Sequence, residues 1–259
     1  MAISEKVTLL GAGLYTDIPD ELTLNALPTV SELDMVSSED FDTTMLDKIL
    51  PQAVTEKIDF RKLLEIDYYW ICRCLRLLNY GPYHSTSTIF CPKCGKTSRG
   101  SFQVNLETIE VKPLPAGFKN EIILTEDKFI DFDGSVKLKL LTIQEMLNAH
   151  KDKAFAGANG VVNRDVARLC YMIKAIGERE NLTPFEVKAY IEKKLSPADW
   201  ICLKTEANAL VDYGLRAGGI AQCPSCGSNE AAFIALVDDR FFRPNLDNLR
   251  RWRNDRSKR

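Results

Sequence analysis

Histidine is scarce in this chain: among 259 residues the only imidazoles are His84 and His150, and they stand in unrelated contexts. That scarcity leaves little material for histidine-based acid–base catalysis, and none beside a cysteine pair for a mixed Cys/His metal site. There is no Gly-x-Ser-x-Gly, no Walker loop and no pair of carboxylates that stands out from a solvated face, so the chain reads as a non-enzyme. Apolar runs near 18 residues are also missing, which excludes a membrane-spanning helix. Charge of one sign is lacking too: 34 Lys and Arg face 36 Asp and Glu, a net −2 that argues against a protein coating nucleic acid along its whole surface.

Cysteine, by contrast, is plentiful, with eight residues. Without a signal-peptide pattern, that number points to a reducing cytoplasm, where paired cysteines bind metal rather than form disulfides. Four of the eight fall in two matching stretches, Cys91-Pro-Lys-Cys94-Gly95 and Cys223-Pro-Ser-Cys226-Gly227. Each puts two thiols on a tight turn, with Pro fixing φ and the closing Gly free to take the left-handed conformation. Two such turns supply the four soft ligands of a tetrahedral zinc site.

The spacing is unusual. A continuous zinc ribbon separates its cysteine pairs by about 15 to 20 residues, whereas 128 residues lie between Cys94 and Cys223. Either the second knuckle returns to the first after a large insertion, or there are two sites. The four-ligand requirement favours one shared site, Cys91, Cys94, Cys223 and Cys226. A redox reading would need each motif to open a helix, as in glutaredoxin-like folds, but Gly95-Lys-Thr-Ser-Arg-Gly and Gly227-Ser-Asn-Glu read as hairpin turns. Cys72 and Cys74 are two apart in a helical pattern and so face different sides; with Cys170 and Cys202 they read as buried small hydrophobes.

Along the chain, residues 1–58 form an N-terminal arm with short helices. Gly11-Ala-Gly13 lacks the third glycine of a dinucleotide fingerprint. Residues 31 to 44 carry Glu32, Asp34, Glu39, Asp40 and Asp42 with no Lys or Arg, and read as a solvated loop with helix caps. Helical periodicity runs from Asp59 to Leu78, with Leu63, Ile66 and Trp70 near one face and Arg73 and Arg76 on a polar one, and Asn79-Tyr-Gly81-Pro82 stops it. Residues 85 to 141 read as sheet, with the first knuckle turning a ribbon hairpin and a turn at Asp131-Phe-Asp-Gly134 joining two further strands. From Thr142 to Leu215 the period becomes helical: Thr142 and Glu145 form a capping box, Val162 to Arg179 is a helix, and Thr183-Pro and Ser196-Pro open two more. After the second knuckle, Ala231 to Val237 is a strand.

The fold class expected is α+β: a zinc-ribbon-like β module, residues 59–141 plus 219–244, split by a helical insertion at 142–218. A basic tail follows at 245–259. Residues 240 to 259 hold eight Lys or Arg against two Asp. That segment reads as solvated or partner-docking, with Phe241, Phe242, Arg243, Arg250, Arg251 and Arg253 as candidate contacts. The second reading is a zinc-containing nucleic-acid-binding protein using Arg250, Arg251, Arg253, Arg256 and Arg259; the tail carries no DNA or RNA motif and much of the chain is acidic, which disfavours nucleic acid as a partner.

The order of these pieces resembles a known family. A helix containing Leu-Leu-Glu-Ile-Asp67-Tyr-Tyr-Trp-Ile, the stop Leu75-Arg-Leu-Leu-Asn-Tyr80-Gly81, Cys91-Pro-Lys-Cys94, Val136-Lys-Leu-Lys-Leu, a helical insert, Cys223-Pro-Ser-Cys226 and Phe241-Phe242-Arg-Pro follow one another. From about residue 45 to 244 this resembles the baseplate hub and tail-assembly proteins of contractile-tailed bacteriophages. The resemblance implies a structural or assembly component whose partners are other tail or baseplate subunits, in the virion or in the host cytoplasm during assembly. It also implies zinc on the four motif cysteines. The basic C-terminal tail is not part of the family pattern.

Overall fold

Alternation of apolar and polar residues starts the fold. In Glu21–Asn25, Leu22 and Leu24 are wholly buried, and the strand pairs antiparallel with Ser4–Thr8, which buries Val7. The computed structural model describes residues 3–215, 218–229, 231–234, 241–242 and 246–256. In chain order its elements are β1 (Ser4–Thr8), β2 (Glu21–Asn25), α1 (Thr29–Val36), α2 (Phe41–Thr44), α3 (Leu50–Ala53) and α4 (Glu65–Tyr80). Next come β3 (Tyr83–Phe90), β4 (Thr97–Asn105), β5 (Val111–Lys112), β6 (Ile122–Leu124) and β7 (Val136–Leu138). These are followed by α5 (Ile143–Lys151), α6 (Arg164–Met172), β8 (Ile173–Ile176), β9 (Arg179–Glu180), α7 (Pro184–Lys194) and α8 (Pro197–Val211). Last are β10 (Gly214–Leu215), β11 (Gly218–Ala221), β12 (Ala231–Ile234) and α9 (Leu246–Arg256). The class is α+β, as the sequence leads one to expect.

Two compact units share the chain. One comprises residues 1–58, 69–112 and 214–259, the other 59–68 and 113–213. The change of period along the sequence predicts boundaries at 141/142 and 218/219. The break falls at 112/113 because β6 and β7 pair with β8 and β9 in one antiparallel sheet, of order β6-β7-β8-β9, and so belong with the helices rather than with the first knuckle.

In the first unit, β1 and β2 lie beside short helices. Residues 31–44, read as a solvated loop, instead form α1, a turn and α2, with Asp40 accepting from the Thr43 amide at the start of α2. The chain continues through a π-helical turn, Met45–Ile49, that buries Met45, Leu46 and Ile49. The helix expected from Asp59 begins later, at Glu65, after a 3-10 turn over Phe60–Lys62. Its end is as expected: Gly81 follows Tyr80 with φ +70°, where a side chain is strained. Arg73 and Arg76, expected on a polar face, are buried. Arg73 donates to the Leu106 carbonyl at 3.2 Å, and Arg76 to three carbonyls described below. Backbone acceptors take the place of water, which is why a guanidinium can lie on the inner face.

In the second unit, Thr142 and Glu145 form the expected capping box of α5, and Thr183 and Glu186 that of α7, with Pro184 at its first turn. Ser196 caps α8 through the Asp199 amide. The helix expected from Val162 to Arg179 ends at Met172, and Ile173–Ile176 is a strand instead. Buried Ile173, Ala175 and Ile176 with exposed Lys174 give that stretch a strand's alternation, and pairing with β7 decides it. Asp131 and Ile130, in the connection read as a hairpin turn, donate their amides to the Asp199 carboxylate at 3.1 and 2.7 Å.

Candidate metal centre

The two cysteine stretches sit at the turns of two hairpins in one antiparallel sheet, of order β11-β12-β3-β4. The first knuckle joins β3 to β4, the second joins β11 to β12, and Phe90, next to Cys91, pairs with Ala232 across the seam. The 128-residue interval is therefore closed by strand pairing that puts both turns at one end of the sheet.

Each turn has the same backbone wiring. The Cys91 amide donates to the Lys96 carbonyl at 3.0 Å and the Gly95 amide to the Cys91 carbonyl at 2.9 Å. The Cys223 amide donates to Ser228 at 2.7 Å and the Gly227 amide to Cys223 at 2.8 Å. Gly95 and Gly227 have φ of +68° and +72°, the left-handed turn expected of the closing glycine.

The four Sγ atoms lie within 4.8 Å of one another and could hold a metal ion. Cys91 and Cys226 are 3.7 Å apart, and Cys94 and Cys223 3.8 Å. These distances are far beyond a disulfide bond of about 2.05 Å, and none of the eight cysteines is in a disulfide. The first cysteine of each knuckle, Cys91 and Cys223, is 1% exposed, Cys94 is half-buried and Cys226 is exposed. Burial pushes the Cys223 thiol up, but the amides of Cys226 and Ser225 and the neighbouring sulfurs of Cys226 and Cys91 outweigh it and bring it down to about 7. At Cys226 the Ser228 amide lowers the value; burial and the crowd of Cys223, Cys91 and Cys94 push the thiol up to about 11. One thiolate is thus favoured and a further one resisted, as for any close cluster of like charges.

The other cysteines sit apart from this cluster. Cys72, Cys74 and Cys170 are buried, and burial pushes Cys74 and Cys170 up to about 12, as inert core thiols require. Cys202, expected to be buried, is only half-buried.

The candidate partner residues fare differently. Phe241 and Phe242 are 1% and 2% exposed, so they are core side chains rather than surface contacts. Their rings are 5.4 Å apart; Phe241 lies 5.8 Å from His84 and Phe242 6.0 Å from Phe41. Arg243 lies outside the described residues. The segment read as solvated or partner-docking forms α9, which packs on the β3–β4 hairpin: Tyr83 donates to Asp255 at 2.6 Å, buried Asn248 meets Ser85 and Gln103, and Trp252 covers Gly81. Arg251 stacks on Tyr83 at 4.2 Å and bonds Gln103. Arg250 is exposed, 3.7 Å from Asp247, and Arg253 is exposed.

Sequence reasoning missed Arg76, which is wholly buried. Its Nε donates to the Phe241 carbonyl at 2.6 Å, and its Nη atoms to Gly81 at 2.5 Å and Tyr83 at 2.7 Å. A single Arg in an amphipathic helix gives no signal of this kind; only the carbonyls brought to it by the fold reveal it.

Among the described residues no helix is long and apolar enough to cross a membrane. Compared with known proteins, the chain matches no family model, no curated protein and no solved structure.

Proposed function

We propose that this chain is a non-enzymatic structural or assembly component of a phage tail baseplate hub, held together by a zinc ion on Cys91, Cys94, Cys223 and Cys226. The observation that carries the zinc reading is the meeting of four sulfurs from two turns 128 residues apart. A tetrahedron of sulfurs about 2.3 Å from zinc has edges of about 3.8 Å; the two cross-knuckle separations of 3.7 and 3.8 Å have that length, and all four sulfurs lie within 4.8 Å of one another. An all-thiolate set selects soft metals, and a reducing compartment keeps it available. Four protein sulfurs fill a tetrahedral site, leaving no position for water or substrate, so the metal's work is structural. The two hairpins together form a zinc-ribbon-like module.

The baseplate assignment rests on the order of motifs from residue 45 to 244. The C-terminal segment, absent from the family pattern, is folded onto the knuckle-bearing hairpin as α9 and leaves Arg250 and Arg253 exposed. The test is metal analysis combined with mass spectrometry of the assembly purified from producing cells. One zinc per chain and co-purification with tail proteins are expected; a metal-free protein isolated as a monomer would overturn the reading. The nucleic-acid alternative would give steeply salt-dependent binding to DNA or RNA that is lost on removing residues 246–259.

A further inference from the structure

We infer that the metal centre is a peroxide-reactive site at which Cys226 is the entry point and Cys91 the resolving partner, so that oxidation replaces the ion by a Cys91–Cys226 disulfide joining the two knuckles. The inference rests on the zinc reading above. Of the four sulfurs, Cys226 belongs to the exposed residue, Cys94 is half-buried and Cys91 and Cys223 are closed off. A small polar oxidant therefore reaches Cys226 first.

The chemistry balances with hydrogen peroxide as the oxidant. The Cys226 thiolate attacks one peroxide oxygen, the O–O bond breaks, hydroxide leaves and a sulfenic acid forms. The Cys91 thiolate then attacks the Cys226 sulfur, the S–O bond breaks and a second hydroxide leaves. Two thiolates have given two electrons to peroxide, and with two protons from solvent the products are one disulfide and two waters. The ion has lost two of its four ligands and dissociates.

The choice of Cys91 comes from placement. Its sulfur lies 3.7 Å from that of Cys226 across the two knuckles, and the other cross-knuckle pair, Cys94 and Cys223, is 3.8 Å apart, so the sulfur nearest to the exposed residue from the opposite hairpin is that of Cys91. Forming the bond needs the two sulfurs to close by about 1.7 Å. Because residues 91 and 226 sit on different hairpins, this bond keeps the knuckles together after the ion has gone, whereas a Cys223–Cys226 bond would leave the hairpins joined only by strand pairing. The module thus survives an oxidising exposure that strips its metal.

The experiment treats full-length zinc-loaded protein with hydrogen peroxide, follows zinc with a chelating dye and maps disulfides in unreduced peptides, using fragmentation between Pro224 and Ser225 to separate Cys223 from Cys226. Zinc release together with a Cys91–Cys226 cross-link is expected. Cys226→Ser should abolish that cross-link and slow peroxide oxidation of Cys91 about tenfold. Zinc retained under peroxide, or bonds confined to Cys223–Cys226 and Cys91–Cys94, would overturn the inference. A protein purified without zinc would instead sink the zinc reading, and the disulfide map of that protein would still decide the pairing.

Discussion

The guanidinium of Arg76 and the backbone carbonyl of Phe241 are 2.6 Å apart, although 165 positions separate them in sequence. The bond ties the last turn of α4 to the segment that follows the second knuckle. Burial lowers the Arg76 pKa to about 10, which still leaves it charged at neutral pH. A charge without water must be satisfied by fixed dipoles, and the carbonyls of Phe241, Gly81 and Tyr83 do this. Arg76→Ala strands two buried acceptors and a part-buried one, so it should lower stability by about 3 kcal/mol, a large fraction of a domain's total. Arg76→Lys should recover only part of this, because an ammonium cannot match the planar fork. Urea unfolding followed by tryptophan fluorescence checks both variants.

Phe242 and Arg253 separate core from surface in the C-terminal segment. Phe242→Ala should cost about 3 to 5 kcal/mol as a buried aromatic truncation, whereas exposed Arg253→Ala should stay within about 0.5 kcal/mol. Thermal unfolding of the two variants side by side makes the comparison. If the aromatic pair were a surface contact, both would be neutral in the isolated protein.

Gly81 is a third test point. A Cβ there would sit 2.3 Å from the Trp252 ring, in a backbone conformation that side chains rarely adopt. Gly81→Ala should therefore lift α9 from the hairpin and strain the end of α4. Faster proteolysis after residue 245 and a red-shifted tryptophan emission are the expected signs.

Much of the four-cysteine cluster was legible because its turns are local. Cys-Pro-x-Cys-Gly specifies a turn within five residues, and counting ligands pairs one turn with the other. Capping boxes at Thr142 and Thr183 were legible for the same reason: cap and partner are three residues apart. What was not legible depends on partners brought from afar. Arg76 looks like any polar-face arginine until three carbonyls surround it, and Phe241-Phe242 looks like an exposed anchor until His84 and Phe41 pack against it. Ile173–Ile176 reads equally well as the end of a helix, and only pairing with β7 makes it a strand. The acidic residues 31–44 suggested a loop because their charge hid the apolar positions, such as buried Met35, that anchor α1.

Asp199 contributes an acid-side pH dependence to the unit containing residues 113–213. Burial pushes its carboxyl up, but the amides of Asp131 and Ile130 and the Ser196 hydroxyl outweigh that, so its pKa falls below the ordinary 3.8. A depressed carboxyl contributes stability that is present above its unfolded value and is lost as pH falls through the lower folded one. Stability of this unit should thus decline below about pH 4, and Asp199→Asn should lower the neutral-pH plateau and flatten the acid decline. Amide exchange at Ile130 and Asp131, measured against pH, reads the effect at the site.

The zinc reading predicts a second pH dependence with the same direction. Thiol ligands must lose their protons to bind, so affinity should fall steadily on acidification, and a chelator should compete better at pH 5 than at pH 8. With the ion removed, exchange should rise in β11 and β12 before it rises in β3 and β4. The latter pair along their own length and carry α9, while the former meet β3 through the Phe90–Ala232 register.

X-ray absorption at the zinc edge, on full-length protein purified without chelator, tests the central claim most directly. One zinc per chain with four sulfur neighbours at about 2.3 Å is the predicted result, reduced to three when Cys226 is replaced by Ser. Nitrogen or oxygen in the first shell of the unaltered protein, or two sulfurs per ion, would mean that the knuckles do not share a site.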